Sequence, residues 1–61
     1  MNSSELVISD ILGINPVEVI KNGNVYYVSS LFVISLATRN ELSRNGFLVT
    51  NDNHVNTISK N

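Results

Sequence analysis

Residues 29–59, SSLFVISLATRNELSRNGFLVTNDNHVNTIS, make up half of the chain and decide how the rest can pack. The segment begins almost purely apolar, turns polar in its middle, and ends in a glycine followed by two short apolar runs. Read as one helix, it is capped by Ser29 or Ser30, carries Glu41 and Arg44 three positions apart, and stops at Asn45-Gly46. Leu31, Phe32, Val33, Ile34, Leu36 and Ala37 then surround its first two turns on every side. A helix apolar all round is either central in a core or covered by another chain. Read as a strand, Phe32, Ile34 and Leu36 share one face, and Thr38-x-x-Glu41 forms a capping box for a short helix after it. The single helix is the preferred expectation. In both readings the apolar stretch exceeds what so small a domain can cover.

The flanking segments carry clearer local signals. SSELVISDILGIN, residues 3–15, has a Ser cap, Glu5 in the first turn, and Leu6, Ile8, Ile11 and Leu12 at roughly helical spacing, which predicts a helix over Ser4–Leu12 closed by Gly13. In PVEVIKNGNVYYV, residues 16–28, Asn22-Gly23 suits a type I′ turn between β-branched and aromatic runs, with Pro16 at the start of the first strand. Phe47–Val49 and Val55–Ile58 flank Asn51-Asp52-Asn53 and predict a second hairpin. The expected fold is a single small α+β domain over residues 1–61, in the order helix, β-hairpin, helix, β-hairpin. The sheet packs on the central helix, and the last three or four residues fray.

Size and composition narrow the function. A chain of 61 residues buries only about 60% of its unfolded surface, so its stability is thin. Small domains usually add disulfides, a metal or a partner subunit. There is no Cys, and one His, His54, cannot hold a structural metal alone. A partner subunit is the support left. The net charge of −1 creates no broad field for phosphates. Ten Asn in 61 residues give the composition of an AT-rich source such as many phages and some bacteria have. The uncharged run is apolar only over residues 25–37, short of the roughly 20 residues a membrane span needs, and no basic segment precedes Lys21. A cytoplasmic protein with no membrane role is expected.

No catalytic, cofactor or small-molecule site is expected either. His54 is the one candidate base, with Asp52 beside it and Ser59 on the following strand. On a solvated hairpin tip, burial is not available to tune such a pair, and a surface turn is the better reading. Paired carboxylates, a glycine-rich phosphate loop and metal-ligand spacing are absent from the sequence.

Two stretches bear on nucleic acid. VISDILGINPVEVI, residues 7–20, loosely resembles the centre of a helix-turn-helix, but Asn22-Gly23 ends the would-be recognition helix after about two turns. TRNELSRNGFLVTNDNHVNTIS, residues 38–59, resembles the last helix and wing of a winged-helix domain. That resemblance implies that Arg39, Asn40 and Ser43 face the groove, with Arg44 at a phosphate and Asn51 or Asn53 at the wing tip. The chain departs from the family pattern by placing a hairpin where two earlier helices should be, and its wing carries Asp52 and no cation.

The apolar surplus favours another outcome. Tyr26 and Tyr27 are adjacent, so on a strand they point to opposite faces, one to the core and one to a surface. Tyr suits interfaces because it buries area while keeping a polar tip wet. Tyr26, Tyr27, Phe32 and Leu36 are the candidate contact residues. The expectation is a small non-catalytic regulator or inhibitor, of phage or mobile-element type, acting through a protein partner and as a homodimer. Its alternative is a winged-helix-like DNA-binding regulator using Arg39, Asn40, Ser43 and Arg44.

Overall fold

The computed structural model describes residues 3–51 and 55–60. Helix α1, Ser3–Leu12, opens the chain, and a single 3₁₀ turn, Pro16–Glu18, follows it. Strands β1, Ile20–Asn22, and β2, Val25–Ser29, form the first hairpin. Helix α2, Leu36–Arg44, leads into the second hairpin, β3, Phe47–Asn51, and β4, Val55–Lys60. The strands make one antiparallel sheet in the order β1-β2-β4-β3, so the α+β architecture and its element order are as expected.

Local chemistry accounts for α1. Glu5 lies in its first turn, where a carboxylate meets the positive end of the helix dipole. At the other end Gly13 takes φ 72°. Its N–H donates to the Asp10 carbonyl at 3.3 Å, and the Ile14 N–H reaches back to the Ser9 carbonyl at 3.0 Å. This is the paired bonding of a Schellman stop, and it turns Ile14 toward the core.

The first hairpin differs from expectation in two ways. Pro16–Glu18 is a 3₁₀ turn, and the strand begins only at Ile20. The cause is a reciprocal cap: the Asn15 side chain accepts the Val17 N–H at 3.1 Å, while the Glu18 carboxylate accepts the Asn15 N–H at 3.2 Å. Those bonds satisfy the backbone locally and leave it nothing to offer a ladder. The turn itself is shifted by one residue. Asn22 pairs with Val25, so the loop is Gly23-Asn24. Positive φ among the described residues is confined to glycines, with Gly23 at 62°. A glycine alone in the first loop position is the type II′ arrangement rather than type I′.

Residues 30–35 form neither the preferred helix nor the alternative strand. The chain turns at Ser29–Phe32, where Ser29 Oγ accepts the Leu31 N–H at 3.2 Å and the Ser29 carbonyl accepts the Phe32 N–H at 3.0 Å. Helix α2 starts five residues later than the preferred reading placed it, at Leu36. Its cap is Ser35, whose Oγ accepts the Thr38 N–H at 3.2 Å, and not Ser29, Ser30 or Thr38. The irregular path buries Ile34, half-buries Phe32, and ends in a side-chain cap. At its far end α2 has the expected Glu41–Arg44 pair, at 3.4 Å, and Gly46 with φ 86°.

One core joins both helices and strands β2, β3 and β4. Its buried members are Ile8 and Leu12 of α1, Tyr26 and Val28 of β2, Leu42 of α2, Phe47 of β3 and Ile58 of β4, with Val19 and Ile34 from the connecting segments. Alternation along the strands puts Ile20, Val25, Tyr27, Leu48, Thr50, Val55, Thr57 and Ser59 on the opposite, outer face. That face carries no ionisable side chain other than the tyrosine. Ile58, Ser59 and Lys60, expected among the fraying residues, are paired in β4, and Ile58 is fully buried.

Candidate interaction surface

The four residues singled out as contacts occupy four different settings. Tyr26 is 5% exposed and belongs to the core, which takes it out of reach of a partner. Tyr27 is half-buried on the outer sheet face, its hydroxyl accepting a hydrogen bond from Asn22 Nδ2 at 3.3 Å. Phe32 is half-buried and packs against the core. Leu36 is 74% exposed at the first position of α2.

Two neighbours of Leu36 are more exposed still: Leu31 at 92% and Val33 at 86%. Scattered single apolar residues are ordinary on a surface, but three within six positions of chain are not. What holds this segment in place is Asn56, the largest buried polar side chain of the sheet, at 2% exposure. Its Nδ2 donates to the Ser29 carbonyl at 3.0 Å and to the Phe32 carbonyl at 2.7 Å. The side chain therefore clamps the ends of the Ser29–Phe32 turn to the central strand. Leu31 is thrown outward at the middle of that turn. Asn56 was not among the sequence candidates, because one Asn among many in a polar strand carries no local mark of burial.

The residues considered for DNA lie on α2. Asn40, Ser43 and Arg44 are exposed and share a face at helical spacing, whereas Arg39 is half-buried. Arg44 is engaged by Glu41 at 3.4 Å, with both side chains largely in solvent. Such a pair contributes little stability, about 0–1 kcal/mol, and is easily exchanged for a phosphate. Asn51 ends β3; Asp52, Asn53 and His54 lie outside the described residues. Ser59, the hydroxyl considered with His54, is half-buried on the outer face of β4.

An open groove of about 550 Å³ runs between α1 and the 3₁₀ turn, lined by Leu6, Val7, Ser9, Asp10, Gly13, Ile14 and Pro16. Its Ser9 hydroxyl donates to the Leu6 carbonyl at 2.9 Å, and Asp10 is its one ionisable group. The groove therefore offers an apolar cleft and a carboxylate, with no paired nucleophile and base. Among the described residues, no three of His, Asp and Glu are grouped to hold a metal ion, and no helix is long and apolar enough to cross a membrane. No family model, curated protein or solved structure matches this chain.

Proposed function

We propose that this chain is a small, non-catalytic regulatory or inhibitory protein of the cytoplasm that acts by protein–protein contact. The observation that carries the reading is the trio Leu31, Val33 and Leu36, exposed at 92%, 86% and 74% on a segment anchored by Asn56 at Ser29 and Phe32 and by the Ser35 cap where α2 begins. Apolar side chains presented on a fixed backbone lose little conformational freedom on binding, which favours a partner over open solvent. Tyr27 and Phe32, each half-buried, have aromatic area left to contribute. Tyr26 drops out of the contact set.

The test is a comparison of the wild type with the triple variant Leu31→Ser, Val33→Ser, Leu36→Ser, both tethered and exposed to lysate of the source cell. None of the three is buried, so the variant keeps its circular dichroism spectrum, and its unfolding free energy stays within about 1 kcal/mol of the wild type. A protein retained by the wild type and lost from the variant is the expected result. Identical retention by both would refute the loop as the contact.

A second reading, DNA-binding regulation, draws on the exposed Asn40, Ser43 and Arg44 on one face of the helix that leads into the β3–β4 hairpin. Arg and Asn suit bidentate contacts to guanine and adenine edges. Under this reading a labelled mixed-sequence duplex is bound at micromolar protein in about 50 mM salt, and Arg39→Ala with Arg44→Ala abolishes that binding without unfolding the chain. A flat titration, or binding that survives the double substitution, removes the reading.

A further inference from the structure

The sheet has two edges, and they are guarded very differently. Strand β1 is three residues long and carries Lys21. Strand β3 is five residues long, FLVTN, and pairs with β4 in unbroken register from Phe47 to Asn51. It contains no proline, no charge and no bulge. On its other side no strand lies among the described residues. Natural sheets protect such an edge with Lys, Pro, a bulge or a covering element, because its free N–H and C=O groups template another strand. Here none of those sequence devices is present.

We infer that β3 is the seam of a homodimer, in which two copies join edge to edge as one eight-stranded antiparallel sheet. The inference goes beyond the protein-contact reading: it puts a second copy of this chain on a surface other than the Leu31–Leu36 segment. Three observations favour the second copy. First, an antiparallel two-fold centred on Val49 sets Leu48 opposite Thr50 and Phe47 opposite Asn51 of the partner, so the strand is complementary to itself and brings no like charges together. Second, Phe47 is buried in its own core and Val49 packs against it, so docking at the backbone edge leaves the monomer intact. Third, Leu48, 55% exposed, would continue the uncharged outer face across the seam.

Area sets the strength. A standard interface removes about 800 Å² from each partner, a fifth of the 4009 Å² this molecule exposes. A five-residue edge supplies less, which puts the dimer in the weak class, with a dissociation constant on the order of 10–100 μM.

Sedimentation equilibrium from about 5 μM to 1 mM, with amide exchange followed at both ends of the range, tests this. A mass that doubles across the series, with β3 amides slowing as concentration rises, is the expected result. Leu48→Lys with Thr50→Lys sets cations against cations and is expected to weaken association at least tenfold; Leu48→Lys with Thr50→Glu sets opposite charges across the same pairs and restores it. Both positions are exposed, so the two variants fold alike. A chain that stays monomeric at 1 mM overturns the inference and leaves the lysate comparison above to judge the protein-contact reading. A dimer indifferent to the charge pattern also overturns the edge, while upholding contact between copies through another surface.

Discussion

Asn56→Ala is expected to destabilise the protein by about 2–4 kcal/mol, read as a shift in urea midpoint at constant slope. The amide is buried, and it donates to two carbonyls, those of Ser29 and Phe32. Truncation removes both bonds and leaves the two acceptors without that donor, at about 1–3 kcal/mol for each group that water fails to reach. Asn56→Asp is the sharper test. It preserves shape but replaces the donor with a carboxylate, which would face two carbonyl oxygens at the 2.7 Å and 3.0 Å positions. The aspartate variant is therefore expected to be less stable than the alanine variant at neutral pH. If packing alone mattered, the near-isosteric aspartate would be the milder of the two, and the clamp would lose its support. A domain of 61 residues has only about 3–9 kcal/mol of stability to lose. Either substitution thus removes a large share of the folded population.

Leu42→Ala is expected to cost about 2–5 kcal/mol and to unfold much of the protein at 37 °C. Leu42 is fully buried, and it is the one buried residue of α2. A helix of nine residues has no independent stability in water, so α2 exists because this side chain ties it to the sheet. Its loss leaves a cavity in the core and removes the reason for the helix to dock. Leu36→Ala, in the same helix but 74% exposed, is the control and is expected to change stability by less than about 0.5 kcal/mol. Thermal melts of the two variants beside the wild type decide it. Equal effects would mean that α2 is not held as described.

The contrast between those leucines bears on what sequence could reveal. Elements whose causes are local were legible: α1 with its glycine stop, a hairpin turn at Gly23 (though one residue later than Asn22-Gly23), the Glu41–Arg44 pair and the second hairpin. Adjacent tyrosines on a strand had to face opposite ways, and they do. Which one faces inward depended on the pairing of Tyr26 with Ile58, a contact between distant parts of the chain. The same holds for residues 30–35. The turn that opens them is held by Asn56, more than twenty positions away, so their apolar pattern did not decide between helix and strand, and the answer was neither. The contact candidates suffered accordingly. Leu36 is exposed because the helix begins there, and Leu31 because it sits on a turn. The reciprocal cap at Asn15 and Glu18 and the cap at Ser35 are local signals as well, outweighed in the sequence by the β-branched and apolar residues around them.

The sheet order carries a consequence for how the molecule is made. Strand β4 is last of the four in the chain yet lies between β2 and β3, and those two have no contact in the ladder except through it. Val25 finds Ser59 across 34 positions of chain. During synthesis, the β1–β2 hairpin and the α2–β3 unit therefore emerge with no strand ladder to join them. Closing the sheet waits for the final strand, and pairing at such long separation is slow. Until then β2 and β3 both present open edges to whatever else is nearby, so a nascent or truncated chain ending before Val55 should depend on chaperones in a way the finished domain does not.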